Sequence, residues 1–298
     1  MRAKTSIDTS GAISSLGTYA ILEPTYTRPG GGGGGGDDGG GGTTAGPTSG
    51  DDNLTGTTAD NTIDGLGGND TISGLDGNDM LAGNTGADTI DGGNGDYFLH
   101  SGLFSPLGSS TPVLDRGSEV DSLTGGDGSD TIFAGYGDNV DGGADGSWGD
   151  TLYISFQAAT AGIHFDAHLA TQTIGGGTIT GIEGIGWVEG SNYDDYVDVG
   201  TGGLGSSGTQ VFGLGGNDTL IAGYSTSRLD GGDGNDILDA RNSANVGELD
   251  GDAGDDTIYG NSNGLTIANG GDGNDLSYAN WEAHGGAGND TIILEYRG

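Results

Sequence analysis

The feature that most constrains this chain is a period of nine residues. Gly65-Leu66-Gly67-Gly68-Asn69-Asp70-Thr71-Ile72-Ser73 runs directly into Gly74-Leu75-Asp76-Gly77-Asn78-Asp79-Met80-Leu81-Ala82, and that into Gly83-Asn84-Thr85-Gly86-Ala87-Asp88-Thr89-Ile90-Asp91. Glycine holds positions 1 and 4 of each unit, aspartate position 6 and an aliphatic residue position 8. The pattern returns at residues 125–132, 213–221, 231–239, 251–259, 270–278 and 285–293. Residues 231–239, GGDGNDILD, match G-G-x-G-x-D-x-U-x throughout, with U a large apolar residue. A unit this short cannot bury an apolar face alone, so its copies have to stack on one another.

Composition explains why no ordinary packed domain competes with that stack. Of 298 residues, 70 are Gly and only 31% are hydrophobic, too few for a conventional core of this length. The formal net charge is −37, with seven Lys and Arg against 44 acidic residues, of which 37 are Asp. Such a balance opposes compaction and excludes nucleic acid, whose phosphates require the opposite sign. The natural counterpart of so many carboxylates is a hard cation. The chain has no Cys, which removes disulfides and thiolate metal sites. No apolar run approaches the roughly 20 residues of a membrane-spanning helix. The stretch from Ser6 to Ser15 is polar and lacks the apolar centre of a cleavable signal peptide.

These units resemble the RTX (repeats-in-toxin) family of calcium-binding β-rolls, and the resemblance covers residues 49–298. The fold it implies is all-β: a right-handed parallel β-roll, or β-helix solenoid, of nonapeptide repeats, preceded by a flexible Gly-rich linker. Positions 1 to 6 supply turn chemistry, since Gly admits φ > 0 and close backbone approach. Exposed carbonyls and the Asp carboxylate then give an all-oxygen shell suited to Ca²⁺. Positions 7 to 9 form a short strand whose position-8 residue points inward, so Ile72, Leu81, Ile90, Ile132, Leu220, Leu238, Ile258 and Ile292 build an apolar spine. Two units make one coil. The resemblance implies several bound Ca²⁺ ions, each between a turn and the equivalent turn one coil later. It implies Asp70, Asp79, Asp88, Asp130, Asp218, Asp236, Asp256, Asp275 and Asp290 as the side-chain ligands.

The second half of the chain adds an asymmetry. Its strong turns start at 213, 231, 251, 270 and 285, while the units between are weak, with Ser227 and Leu265 where Asp belongs. One edge of the roll is therefore expected to carry calcium and the other to be largely bare. The remaining segments divide as follows. Residues 1–29 are a tail containing a possible attachment strand, and 30–48 a Gly-rich linker. Residues 49–100 are the first repeat block and 101–124 an insert loop; the stack is expected to be interrupted from residue 96, where Tyr97, Phe98, Leu99, Leu103 and Phe104 form an apolar cluster with Pro106 and Pro112 in a loop covering the side of the roll. Residues 125–149 are repeats again, 150–199 a degenerate segment of longer strands, and 200–298 the second repeat block.

Tests for catalytic chemistry fail. His164 and His168 lack the H-E-x-x-H pattern, Phe165 standing where Glu belongs, and sit in strand-like sequence. His100 and His284 read as surface residues in worn repeats. Residues 260–264 match G-x-S-x-G and residues 200–205 match G-x-G-x-x-G, but neither has its strand–turn–helix context in a chain this rich in Gly. No catalytic residue is assigned, and the chain is read as not an enzyme.

Short strands and crowded carboxylates make calcium binding and folding one coupled event. The expected role is a secreted calcium-binding protein of the cell surface, matrix or filaments, exported by type I secretion machinery. Self-association is expected, and binding to nucleic acid or insertion into membrane is not. The alternative is the C-terminal RTX part of a secreted hydrolase, epimerase or toxin.

Overall fold

A computed structural model of the protein describes residues 46–104, 111–200, 208–244, 246–261, 266–279 and 282–294. The chain separates into Met1–Gly36 and Asp37–Gly298, and every described residue belongs to the second unit. The expected tail and nearly all of the linker lie outside the described residues.

All regular structure among the described residues is β, built as a parallel solenoid. An 11-stranded sheet runs from Thr62–Asp64 to Glu282–Ala287. Facing it are two seven-stranded sheets in succession, the first starting at Asn53–Thr55 and the second running from His164–Asp166 to Thr291–Leu294. Two nonapeptides make one coil, as their register shows: Ile72 pairs with Ile90, 18 residues on, and Leu81 with Leu99. Strand residues alternate between core and solvent, the burial pattern of a pleat with one apolar face.

The position-8 spine fills the space between the sheets. Ile72, Leu81, Ile90, Ile132, Leu220, Leu238 and Ile258 are all buried in one continuous cluster. Ile292 is the exception to the expected spine. It lies in the last described coil, where it is 42% exposed because no described strand covers it.

The insert does not interrupt the stack in the way the sequence suggested. Phe98–His100 is a strand of the long sheet, and Tyr97 and Leu99 belong to the core. The chain then leaves the roll and returns in register, so that Leu99 pairs with Ile132 and Ile90 with Leu123, each 33 residues away. Leu114 from the crossing packs on Phe133 and Trp187 on the outer surface of the long sheet. His100 corrects the surface reading. It is buried, stacked on Phe133 at 4.2 Å and edge-on to Phe104 at 5.5 Å, and burial pushes its imidazole down to about 4.

The strands within residues 150–199 are three to six residues long, no longer than those of the repeats. What sets the segment apart is a hairpin, in which Thr171–Ile174 runs antiparallel to Gly177–Thr180 and closes the first seven-stranded sheet. The second begins beside it at His164–Asp166. His164 stacks on Tyr196 at 4.5 Å, while His168 lies beyond the strand against Asp166, so the two imidazoles do not converge.

Candidate metal centre

The turn at residues 231–236 shows how the consensus works. Gly232 and Gly234 adopt φ of 96° and 140°, conformations that L side chains rarely take. Gly231 is needed for a different reason: a β-carbon there would overlap Oδ2 of Asp236 and lie 2.9 Å from the carbonyl oxygen of Gly251 in the next coil. Asp236 itself is buried. Its Oδ1 accepts the backbone N–H of Asp218 at 2.7 Å, and its own N–H donates to Oδ1 of Asp256 at 2.8 Å. Its Oδ2 has no hydrogen-bond partner.

Repeated from coil to coil, this arrangement makes three axial ladders. One passes from Asp52 through Asp70, Asp88 and Asp121 to Asp138, each N–H donating to the next carboxylate at 2.7–2.9 Å. A second, on the opposite edge, joins Asn61 to Asp79, and Tyr97 through Asp130 and Asp150 to Glu183. The third runs from Asp195 through Asp218, Asp236, Asp256 and Asp275 to Asp290. In the third ladder, successive rungs are separated by 23, 18, 20, 19 and 15 residues, yet the bonds stay between 2.7 and 3.1 Å. The differences in length fall on the opposite side of the coil, where Arg228 pairs with Glu248 and Ile267 with Glu282.

The nine sequence-predicted aspartates all lie on these ladders. Eight are buried with an unpartnered Oδ2, while Asp290, in the last described coil, is half-buried. Asp121 and Asp150 share the same unpartnered, buried state but escaped the sequence reading, because their turns lack the glycine pattern. Only the register across the 33-residue crossing reveals Asp121. Position 5 was also missed: the N–H groups of Asn235, Asp255, Asn274 and Asn289 donate to the side-chain oxygens of Asn217, Asn235, Asp255 and Asn274. The recurrent Asn or Asp just before the position-6 Asp was the available signal.

Ten buried carboxylate oxygens without partners are costly unless a proton or a cation satisfies them. Burial, reinforced by neighbouring carboxylates, pushes Asp218 up to about 8 and Asp130 and Asp256 to about 7. Asp236 is pushed to about 6, chiefly by burial. Burial also raises Asp70, Asp79, Asp88, Asp150 and Asp275. A carboxylate oxygen beside a carbonyl of the next coil is the donor chemistry of a hard divalent ion. The residues present fit Ca²⁺.

Not every turn is built this way. Oδ2 of Asp195 accepts the N–H of Ser191 at 2.6 Å and its Oδ1 the Ser191 hydroxyl at 2.8 Å. Oδ1 of Asn61 takes the N–H of Thr57 at 2.5 Å. On the edge opposite the third ladder, Thr226 accepts the N–H of Gly223 through its hydroxyl at 2.8 Å, and Thr266 bonds Asn261 at 3.1 Å. In the second ladder Tyr97 stands where Asp would, its ring packed against Gly92 and its hydroxyl donating to the Leu75 carbonyl at 2.8 Å.

Parallel coils closed by glycine turns, with stacked carboxylates between them, define a calcium-type β-solenoid. The profile of the RTX calcium-binding nonapeptide repeat (four copies) matches residues 48–81, 73–103, 116–147, 212–246, 248–263 and 282–294, about half of the chain. The chain belongs to this family and is a calcium-binding RTX repeat protein. No curated protein matches it. The described residues form the repeat solenoid, and no further domain is present among them.

Proposed function

We propose that this protein is an extracellular structural or adhesive element whose roll folds only when calcium fills the ladders. The observation that supports this reading is the set of ten buried carboxylate oxygens without partners, stacked coil upon coil. The side-chain ligands are Asp70, Asp79, Asp88, Asp130, Asp218, Asp236, Asp256, Asp275 and Asp290, together with Asp150. In the absence of metal their charges repel in a low-dielectric interior, so the ions supply folding free energy. Extracellular calcium modules work at Kd on the order of 10⁻⁴–10⁻³ M, well above the calcium level inside a cell. The chain then remains unfolded until it is exported, by a type I secretion route, and folds outside. Its role is assigned to the surface, matrix or filaments because the described residues are repeat solenoid throughout, an architecture of stacked coils suited to extended scaffolds.

Far-UV circular dichroism during a Ca²⁺ titration of the chelator-treated protein tests the coupling. A cooperative gain of β signal near millimolar Ca²⁺ is the expected result. A β spectrum that chelation leaves unchanged overturns it. Light scattering across the same titration tests self-association, and a strict monomer at saturating Ca²⁺ removes the filament role.

A further inference from the structure

The crossing at residues 101–121 brings a carboxylate to the roll that no repeat supplies. One carboxylate oxygen from each of Asp115, Asp121 and Asp138 lies within 4.8 Å of the others. Two oxygens on opposite sides of one Ca²⁺, each at about 2.4 Å, are separated by about that distance. Asp115 belongs to the crossing, Asp121 to the turn where the chain rejoins the stack, and Asp138 to the next coil. The glycine pattern of the repeat turns is absent here: consensus positions 1 and 4 hold Arg116 and Glu119 ahead of Asp121, and Phe133 and Tyr136 ahead of Asp138.

Beyond the cluster itself, Asp121 is 1% exposed and its Oδ2 has no hydrogen-bond partner. The other two carboxylates are already oriented. Asp115 Oδ1 accepts the N–H of Gly117 at 2.8 Å, and Asp115 Oδ2 the Ser101 hydroxyl at 3.3 Å. Asp138 Oδ1 accepts the N–H of Asp121 at 2.9 Å, and its Oδ2 the N–H of Gly135 at 2.7 Å. The backbone also makes room. A β-carbon on Gly135 would lie 2.7 Å from Asp115 Oδ2, and one on Gly102 would lie 3.2 Å from the Asp115 Cβ. Among the described residues no cationic side chain pairs with the three acids, and the nearby Arg116 is committed to Glu189 at 2.5 Å. Two buried carboxylates and a half-buried third, this close together, cannot all ionise without a counter-charge.

We propose that Asp115, Asp121 and Asp138 form a calcium site distinct from the glycine-turn sites, and that its ion fastens the crossing to the roll. The crossing is otherwise held by Leu114, packed on Phe133 and Trp187, and by the Arg116–Glu189 pair. The ion adds a link from the crossing to the turns of two successive coils, at Asp121 and Asp138. Its function is to keep Leu114 seated over the outer aromatic cluster.

The test counts ions on the full chain by equilibrium dialysis with radiolabelled Ca²⁺, and times chymotrypsin cleavage within residues 101–121. Wild type is compared with Asp115→Asn, with Gly135→Ala, and with Asp236→Asn as a variant of the repeat turns. Asp115→Asn is expected to bind one ion fewer, keep the wild-type circular dichroism and be cut several times faster in the crossing. Gly135→Ala displaces the Asp115 carboxylate without removing its charge and is expected to lose the same ion; it decides the matter if Asp115→Asn fails to reach the wild-type spectrum. An unchanged ion count in the folded variant, with Asp236→Asn showing a raised calcium midpoint, overturns the proposal. Loss of an ion in Asp115→Asn while Asp236→Asn keeps both the wild-type count and the wild-type calcium midpoint supports this site and instead defeats the assignment of the repeat-turn ligands.

Discussion

The two edges of the coils between residues 208 and 294 share one backbone course and one apolar spine, yet they settle their polar groups in opposite ways. On one edge Asp218, Asp236, Asp256 and Asp275 each leave an oxygen buried and unpartnered. On the other, Thr226 and Thr266 close their turns with hydroxyl hydrogen bonds inside the chain. The first edge therefore depends on something from solution, while the turns described at Thr226 and Thr266 are closed within the chain. That contrast also explains where the sequence varies in length. An edge whose turns are complete in themselves tolerates insertion and deletion, whereas the ladder edge keeps every rung in contact across spacings of 15 to 23 residues.

Protons provide the broadest way to break the contrast. The folded carboxylates of the ladder edge have raised pKa values, so the folded state binds more protons than the unfolded chain between about pH 4 and the folded values. For Asp236 and Asp218 those values are about 6 and about 8. Without calcium, the stability of the roll is therefore greatest below about pH 4 and is lost as pH rises through 6 to 8. Circular dichroism in chelator should show β signal gained on acidification from pH 8 to 5. With calcium present the direction reverses, because protons compete for the same oxygens, and the calcium midpoint should rise as pH falls. A chelated sample with no acid-induced β signal would show that the ladder carboxylates are not the groups opposing the fold.

A smaller effect comes from one rung. Asp236→Asn keeps an oxygen for the N–H of Asp218 but removes a ligand charge between two coils. The calcium midpoint should rise on the order of tenfold, since charge count sets affinity in such sites. Calorimetric titration checks it. Gly231→Ala leaves every charge in place and crowds Asp236 Oδ2 against the Gly251 carbonyl. Its midpoint should rise by less than that of Asp236→Asn while the spectrum at saturating Ca²⁺ is unchanged.

The opposite edge should respond in a different currency. Thr226→Val leaves the buried N–H of Gly223 unpaired and should cost about 1–3 kcal/mol in thermal or urea unfolding at saturating calcium. The ion count should stay the same. Loss of an ion in this variant would erase the distinction between the edges.

Much of this was legible in the sequence for a simple reason. Where position 6 is Asp and the glycines precede it, as at Asp70 or Asp236, local turn chemistry alone fixes the carboxylate's place. The spine residues were legible because position 8 follows from the same count. Asp121 and Asp150 were not, since their burial is set by the strands that flank them rather than by their own turns. His100 looked like a surface residue because its neighbours in sequence are those of a worn repeat. What buries it is Phe133, 33 residues away in sequence and adjacent in the sheet. The hairpin at residues 171–180 was hidden in the same way, because its alternation is compatible with a strand running in either direction.

The axial ladders also have a mechanical meaning. At position 6 each coil's amide is held by the coil after it, and at position 5 by the coil before it. In these ladders each coil is thus latched to the coils on either side of it. Pulled from its two ends, such a rod does not shear as a block. It peels, releasing one coil at a time, and a coil of 18 residues pays out about 60 Å of extended chain before the next latch takes the load. With the proposed ions between the coils, the force of each release would follow the calcium concentration around the rod.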